Sequence, residues 1–95
     1  MLGGNLATNC GGSKMVKHGS LRSNLVGLEA VLADGRVLSE MTAMRKDNSG
    51  YDLKQLFVGS EGTLGLITKA ALKCPRAPLD QHLAMVAVDS FDKCV

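Results

Sequence analysis

Two segments, Gly3-Gly4-Asn5-Leu6-Ala7-Thr8-Asn9-Cys10-Gly11-Gly12 and Gly59-Ser60-Glu61-Gly62-Thr63-Leu64-Gly65-Leu66-Ile67-Thr68, hold seven of the chain's eleven glycines. Loops without Cβ atoms let main-chain N–H groups approach a pyrophosphate or a flat ring closely. The chemistry they suit is binding by backbone, with side chains in a minor role. The segments are not copies of each other and read as two walls of one site. Composition alone, however, favours an ordinary irregular loop for residues 3–12.

Side-chain chemistry is sparse. Asp47, Asp52 and Glu61 lie among turn formers, and His18 and His82 have no orienting partner at readable spacing, so no general base stands out and no catalytic residue is assigned. Glu61 suits either a hydroxyl-rich ligand or a local cap of the turn through Ser60 and Gly62. Arg45 and Lys46 match carboxylate geometry, but a solvated loop is the simpler reading. Tyr51 and Phe57 read as core. Cys10, Cys74 and Cys94 are odd in number and share no short spacing, which argues against a disulfide framework and for a reducing compartment. The same spacing argument assigns no metal site. A net charge of +2, with Lys14, Lys17 and Arg22 as the only basic cluster and no interleaved aromatics, predicts no nucleic-acid partner.

The elements that must position these loops follow from hydrophobic pattern. Residues 3–24 show neither helical nor strand period and read as an ordered loop with at most a short helical turn. Leu25–Ala33 is apolar on alternating faces except at Glu29, which suits a strand covered on both sides. Asp34-Gly35 then predicts a tight type I′ hairpin to Arg36–Leu38. Asp52 is placed to cap a short helix carrying Leu53, Leu56 and Phe57, with Gly59 ending it in a positive-φ conformation. Leu66–Leu72 reads as a half-buried strand, with Leu66, Thr68, Ala70 and Leu72 on one face, stopped by Pro75 and Pro78. His82–Val88 reads as one more strand, and Asp89-Ser90-Phe91-Asp92 as a helix start.

A 95-residue chain with three aromatic residues and no tryptophan buries little apolar surface for its length. Against a backbone ordering cost of about 1–2 kcal/mol per residue, it reads as a piece of a larger domain. Apolar runs fall short of the roughly 20 residues that a membrane span needs, and no leader pattern is present, so no membrane span is expected.

Neither glycine segment fits the dinucleotide fingerprint between a strand and a long helix, nor the phosphate loop with Gly-Lys-Ser/Thr. Three ordered blocks are more specific: residues 3–12, then Arg45-Lys46-Asp47-Asn48-x-Gly50-Tyr51-Asp52-Leu53-Lys54-Gln55-Leu56-Phe57, then residues 59–65. Together they resemble the FAD-linked D-2-hydroxy-acid dehydrogenases, strongly over residues 3–78. Departures are Cys10, where that family usually has alanine, and residues 13–18, where its stretch ends in Arg-Tyr.

The resemblance implies an α+β fold, the second half of a vanillyl-alcohol-oxidase-type (PCMH-type) FAD-binding domain. Residues 1–77 would be its C-terminal part, and residues 78–95 a linker and the start of a C-terminal substrate domain. The first half would precede Met1, and substrate and metal ligands would follow Val95. FAD is the implied cofactor, held by Gly3, Gly4, Asn5, Thr8, Asn9, Gly11, Gly12, Glu61, Gly62, Gly65 and Ile67. The implied activity is oxidation of a small 2-hydroxy acid, D-2-hydroxyglutarate first and D-lactate as the alternative, in a mitochondrial parent, with this segment inactive by itself. A reading from another class is a non-catalytic product that binds a partner through unpaired strand edges.

Overall fold

The computed structural model describes residues 1–42 and 49–94. Three strands form an antiparallel sheet in the order β2-β1-β3: β1 is Leu25–Val31, β2 Val37–Glu40 and β3 Leu66–Leu72. Four short helices accompany it: α1 Leu2–Ala7, α2 Met15–His18, α3 Leu21–Asn24 and α4 Lys54–Phe57. The architecture is α+β, as expected. Residues 3–24 are more helical than their aperiodic pattern predicted. These helices are held by caps and by docking: Leu6 of α1 is fully buried, and the Ser20 hydroxyl caps α3 by accepting from Ser23 N–H at 3.1 Å.

The core is Leu6, Leu25, Leu28, Ala30, Phe57 and Val58, with Ile67, Ala70 and Leu72 packed against it. Two bulges put these residues on one side. Between Leu25 and Gly27, β1 carries one extra residue, Val26, so Leu25 joins Leu28 and Ala30 on the core face. Between Ala70 and Ile67, β3 carries the extra Thr68. The bulge shifts the phase of the strand, so Ile67 instead of Leu66 faces the core, and Leu66 is exposed. The predicted inward set of Leu66 and Thr68 with Ala70 and Leu72 is thus half right.

Among the described residues, β1 is covered on one face and not on both. Its half-buried Glu29 points away from the core residues and pairs with Lys69 Nζ at 3.0 Å while accepting from the Thr68 hydroxyl at 2.8 Å. The Lys69 hydrogen bond, then that of Thr68, holds the Glu29 carboxyl below its ordinary value. Because the folded value is the depressed one, this contribution is complete above the unfolded carboxylate range and is lost as pH falls through the folded value. Denaturant midpoints measured against pH are expected to separate wild type from Glu29→Gln at neutral pH and to converge in acid. Parallel curves at every pH would contradict this.

The Asp34-Gly35 hairpin forms, but not through a two-residue I′ turn. Only Gly35 has positive φ, +84°, its N–H bonds to Leu32 O at 2.9 Å, and Leu32 N–H returns to Arg36 O at 2.9 Å. This is the three-residue loop with glycine in the left-handed position. Asp34 is occupied in accepting Arg36 N–H and Arg36 Nε, at 3.1 and 2.6 Å.

Asp52 does not cap α4. Lys54 N–H bonds instead to Glu40 Oε2 at 3.1 Å, and Asp52 pairs with Lys54 Nζ at 2.7 Å. Gly59 does follow α4 at φ +82°. The strand expected over His82–Val88 is absent: Leu83, Met85 and Val86 are at least 80% exposed, and no described strand lies beside them to complete a ladder. The helix start at Asp89–Asp92 is a single 3-10 turn, Phe91–Lys93.

Candidate functional site

The two glycine segments meet. Loop 59–65 crosses the C-terminal end of α1, where Gly59 N–H donates to Leu6 O at 3.0 Å and Glu61 N–H to Ala7 O at 2.9 Å. The junction leaves a cleft of about 400 Å³ lined by Gly3, Gly4, Glu61, Gly62, Gly65 and Ile67, with Ala7, Ser60 and Leu66 beside them. Six of the eleven expected contact residues therefore share one cavity, though they come from segments more than fifty residues apart in the sequence.

The glycines divide by what surrounds them. A Cβ on Gly65 would stand 2.6 Å from Val31 O, and one on Gly27 3.1 Å from Glu40 O, so the fold's own backbone requires both. Gly59 and Gly62 adopt φ of +82° and +83°, which also favours glycine. Gly3 and Gly4 have neither reason. They sit inside α1 with nothing within 4 Å of the point where a Cβ would stand, and each costs the helix about 0.5–1 kcal/mol relative to alanine. Their open side is the cleft. Both line it without a side chain, which is the form of a cradle for a closely approaching group.

The remaining expected residues lie elsewhere. Thr8 and Asn9 end α1: Asn9 takes φ +49°, its N–H bonds to Leu6 O at 3.1 Å, and Cys10 N–H reaches Asn5 O at 2.8 Å. This is a Schellman closure with asparagine in the left-handed position. The Thr8 hydroxyl donates to Gly4 O at 3.0 Å. Asn5, Gly11 and Gly12 line a second, larger cleft of about 520 Å³ together with Cys10, Lys14 and His18. Nine of the eleven residues thus divide between two clefts, while Thr8 and Asn9 line neither and form the end of α1.

Glu61 is the other non-glycine residue at positive φ among the described residues, +51°. For a glutamate this conformation costs roughly 1 kcal/mol or more, and the Ala7 hydrogen bond holds it there. It does not cap its turn. Ser60 and Thr63 do so, with the Ser60 hydroxyl donating to Phe57 O at 2.9 Å and the Thr63 hydroxyl to Ser60 O at 2.6 Å. Glu61 is therefore a strained, exposed carboxylate at the lip of the first cleft.

Other expected roles sort as follows. Phe57 is core, but Tyr51 is 94% exposed. Arg45, Lys46 and Asp47 lie outside the described residues. His18 and His82, far apart in sequence, line one shallow cleft with Lys14 and Lys17. The sequence reading missed Arg22, grouped there with surface lysines. It is half-buried and binds two main-chain carbonyls beside the second glycine segment.

Comparison with known proteins bears directly on these clefts. Residues 1–40 match a family described as FAD binding domain. The likeness is to a flavin-binding fold. The chain is 53% identical over 92 residues to the mitochondrial D-2-hydroxyglutarate dehydrogenase of Danio rerio, a match that covers 97% of this chain and 17% of that protein. A mitochondrial protein of Schizosaccharomyces pombe carrying a D-lactate dehydrogenase name is 46% identical over 91 residues, 96% of this chain and 17% of that one. Among solved structures, alkyldihydroxyacetonephosphate synthase superposes with a TM-score of 0.59 at 36% identity, over 73% of this chain and 12% of the synthase. The chain thus spans about a sixth of the length of the curated relatives it matches.

Proposed function

We propose that this chain is part of an FAD site in a protein that oxidises D-2-hydroxyglutarate to 2-oxoglutarate. Its residues 1–77 would be the second half of a vanillyl-alcohol-oxidase-type domain, with residues 78–95 leading into a substrate domain. The observation that carries the reading is the pair of helical glycines, Gly3 and Gly4, which the fold does not need and which open onto the cleft formed with loop 59–65. Likeness to the D-2-hydroxyglutarate dehydrogenases over nearly the whole chain supports the substrate, and their mitochondrial names support that location.

When bound, FAD would supply the hydride-accepting chemistry by which a 2-hydroxy acid becomes its 2-oxo acid, the hydroxyl proton passing to a base outside this segment. The chain's own part is to bind and orient. Gly3 and Gly4 of α1 present main chain without a side chain at the cleft. Gly62, Gly65, Glu61 and Ile67 form the facing wall. Asn5, Gly11 and Gly12 offer a second contact region across α1, with Thr8 and Asn9 holding the turn between the two. An extended dinucleotide has separate phosphate and ring parts, so two clefts that share α1 suit one cofactor.

D-lactate is the alternative substrate, favoured by the Schizosaccharomyces pombe relative. Partner binding through strand edges is a separate reading, since the outer edges of β2 and β3 have no ladder partner among the described residues. The test is to purify the complete protein that contains this segment and record its visible spectrum before and after adding each acid without oxygen. Flavin bleached faster by D-2-hydroxyglutarate than by D-lactate is expected. The reverse order would transfer the proposal to D-lactate, and protein without flavin would sink the cofactor reading.

A further inference from the structure

The carbonyl groups at the end of a helix have no intrahelical partners, and a helix end that carries a binding loop must find them elsewhere. At the end of α4, three carbonyls find such partners. Phe57 O accepts from Ser60 N–H at 3.2 Å and from the Ser60 hydroxyl at 2.9 Å. Gln55 O accepts from Arg22 Nη1 at 2.6 Å, and Val58 O accepts from Arg22 Nη2. The Gln55 side chain closes the pair from the other side, accepting from Arg22 Nη1 and donating to Arg22 O, both at 3.4 Å. Arg22 sits on α3, more than thirty residues away in sequence, so one guanidinium joins α3 to the last residues before Gly59.

The same end of the loop is also held by α1, through Gly59 and Glu61 N–H on Leu6 and Ala7 O. The start of loop 59–65, which leads into the wall of the cleft containing Gly3, Gly4 and Gly62, is therefore held by both α1 and Arg22. A Cβ on Gly59 would lie 3.5 Å from Arg22 Nη2, so the guanidinium stands beside the first residue of the loop. Only a planar fork with separate N–H donors spans two carbonyls in this way, and the compact ammonium of lysine does not.

We propose that Arg22 is a positioning residue for the loop 59–65 wall of the cleft: it fixes the Gln55 and Val58 carbonyls and thereby sets where Glu61 and Gly62 stand against Gly3 and Gly4. The flavin consequence rests on the proposed FAD site, whereas the loop consequence does not. Arg22 lines neither cleft, so its influence passes through the backbone of residues 58–62.

The test uses the complete protein with Arg22→Lys, which keeps the charge, and Arg22→Gln, which keeps a shorter planar donor. Two readouts are taken: amide hydrogen exchange of peptides covering residues 57–65 and 25–31, and the dissociation constant for FAD from flavin fluorescence. In Arg22→Lys, exchange over 57–65 is expected to rise about tenfold with β1 unchanged, and FAD to bind about tenfold more weakly, with partial recovery in Arg22→Gln. Exchange rising equally in both peptides would make Arg22 a general stabiliser and overturn the proposal, as would unchanged exchange over 57–65. Loosened exchange with wild-type protein that binds no FAD would retain the clamp and remove the flavin reading above.

Discussion

Gly65→Ala is expected to destabilise the protein by about 1–3 kcal/mol, the range for forcing atoms into a packed site with little room to yield. The new Cβ would stand 2.6 Å from Val31 O and 3.2 Å from Phe57 Cε1. Val31 is the last residue of β1 and pairs with Leu66 at the start of β3, so its carbonyl cannot retreat without opening the central ladder. Phe57 is one of six buried core residues among those described, which leaves little reserve to absorb a displaced ring. Gly12→Ala is the control, because a methyl there meets nothing within 4 Å and no positive φ is required. Equal denaturant midpoints for the two variants would show that the β1–β3 junction relaxes freely.

Gly4→Val is expected to leave the fold intact and to weaken FAD binding by roughly a hundredfold, about 2.7 kcal/mol. Valine is a poor helix former but still better than glycine, so α1 should not lose stability. The side chain would enter the space that opens from α1 toward Glu61 and Gly62. Gly4→Ala sharpens the comparison: it should raise stability by about 0.5–1 kcal/mol while still impairing flavin retention, so stability and binding move in opposite directions. Melting temperature and flavin content of the same preparations decide the matter. Full flavin retention in Gly4→Val would show that no ligand approaches this side of α1.

These two glycines also show how far the sequence can be read. Both belong to the glycine segments, and both were expected at one cofactor site. The sequence does not distinguish them, because it records the missing Cβ and not what stands in its place. At Gly65 that space is taken by Val31 O, whereas at Gly4 it is empty. The same limit applies to β3. Its seven residues were legible from their apolar content, but the inward face was not, since the Thr68 bulge depends on how β3 registers against β1. Arg22 was misplaced for a similar reason: its partners are main-chain carbonyls, which leave no mark on residue type.

What the sequence determined by itself is local or block-like. The apolar runs of β1 and β3, the turn at Asp34-Gly35, the positive φ at Gly59 and the ordered blocks that resemble a flavin-binding family all depend on neighbours in the chain. The tertiary structure alone decided which glycines are spent on packing, that α1 forms and closes on Asn9, that His82–Val88 finds no ladder, and that the expected contact residues divide between two clefts. The physical reason is that short helices, strand register and clefts draw their free energy from contacts between segments, and those contacts exist only once the chain has folded.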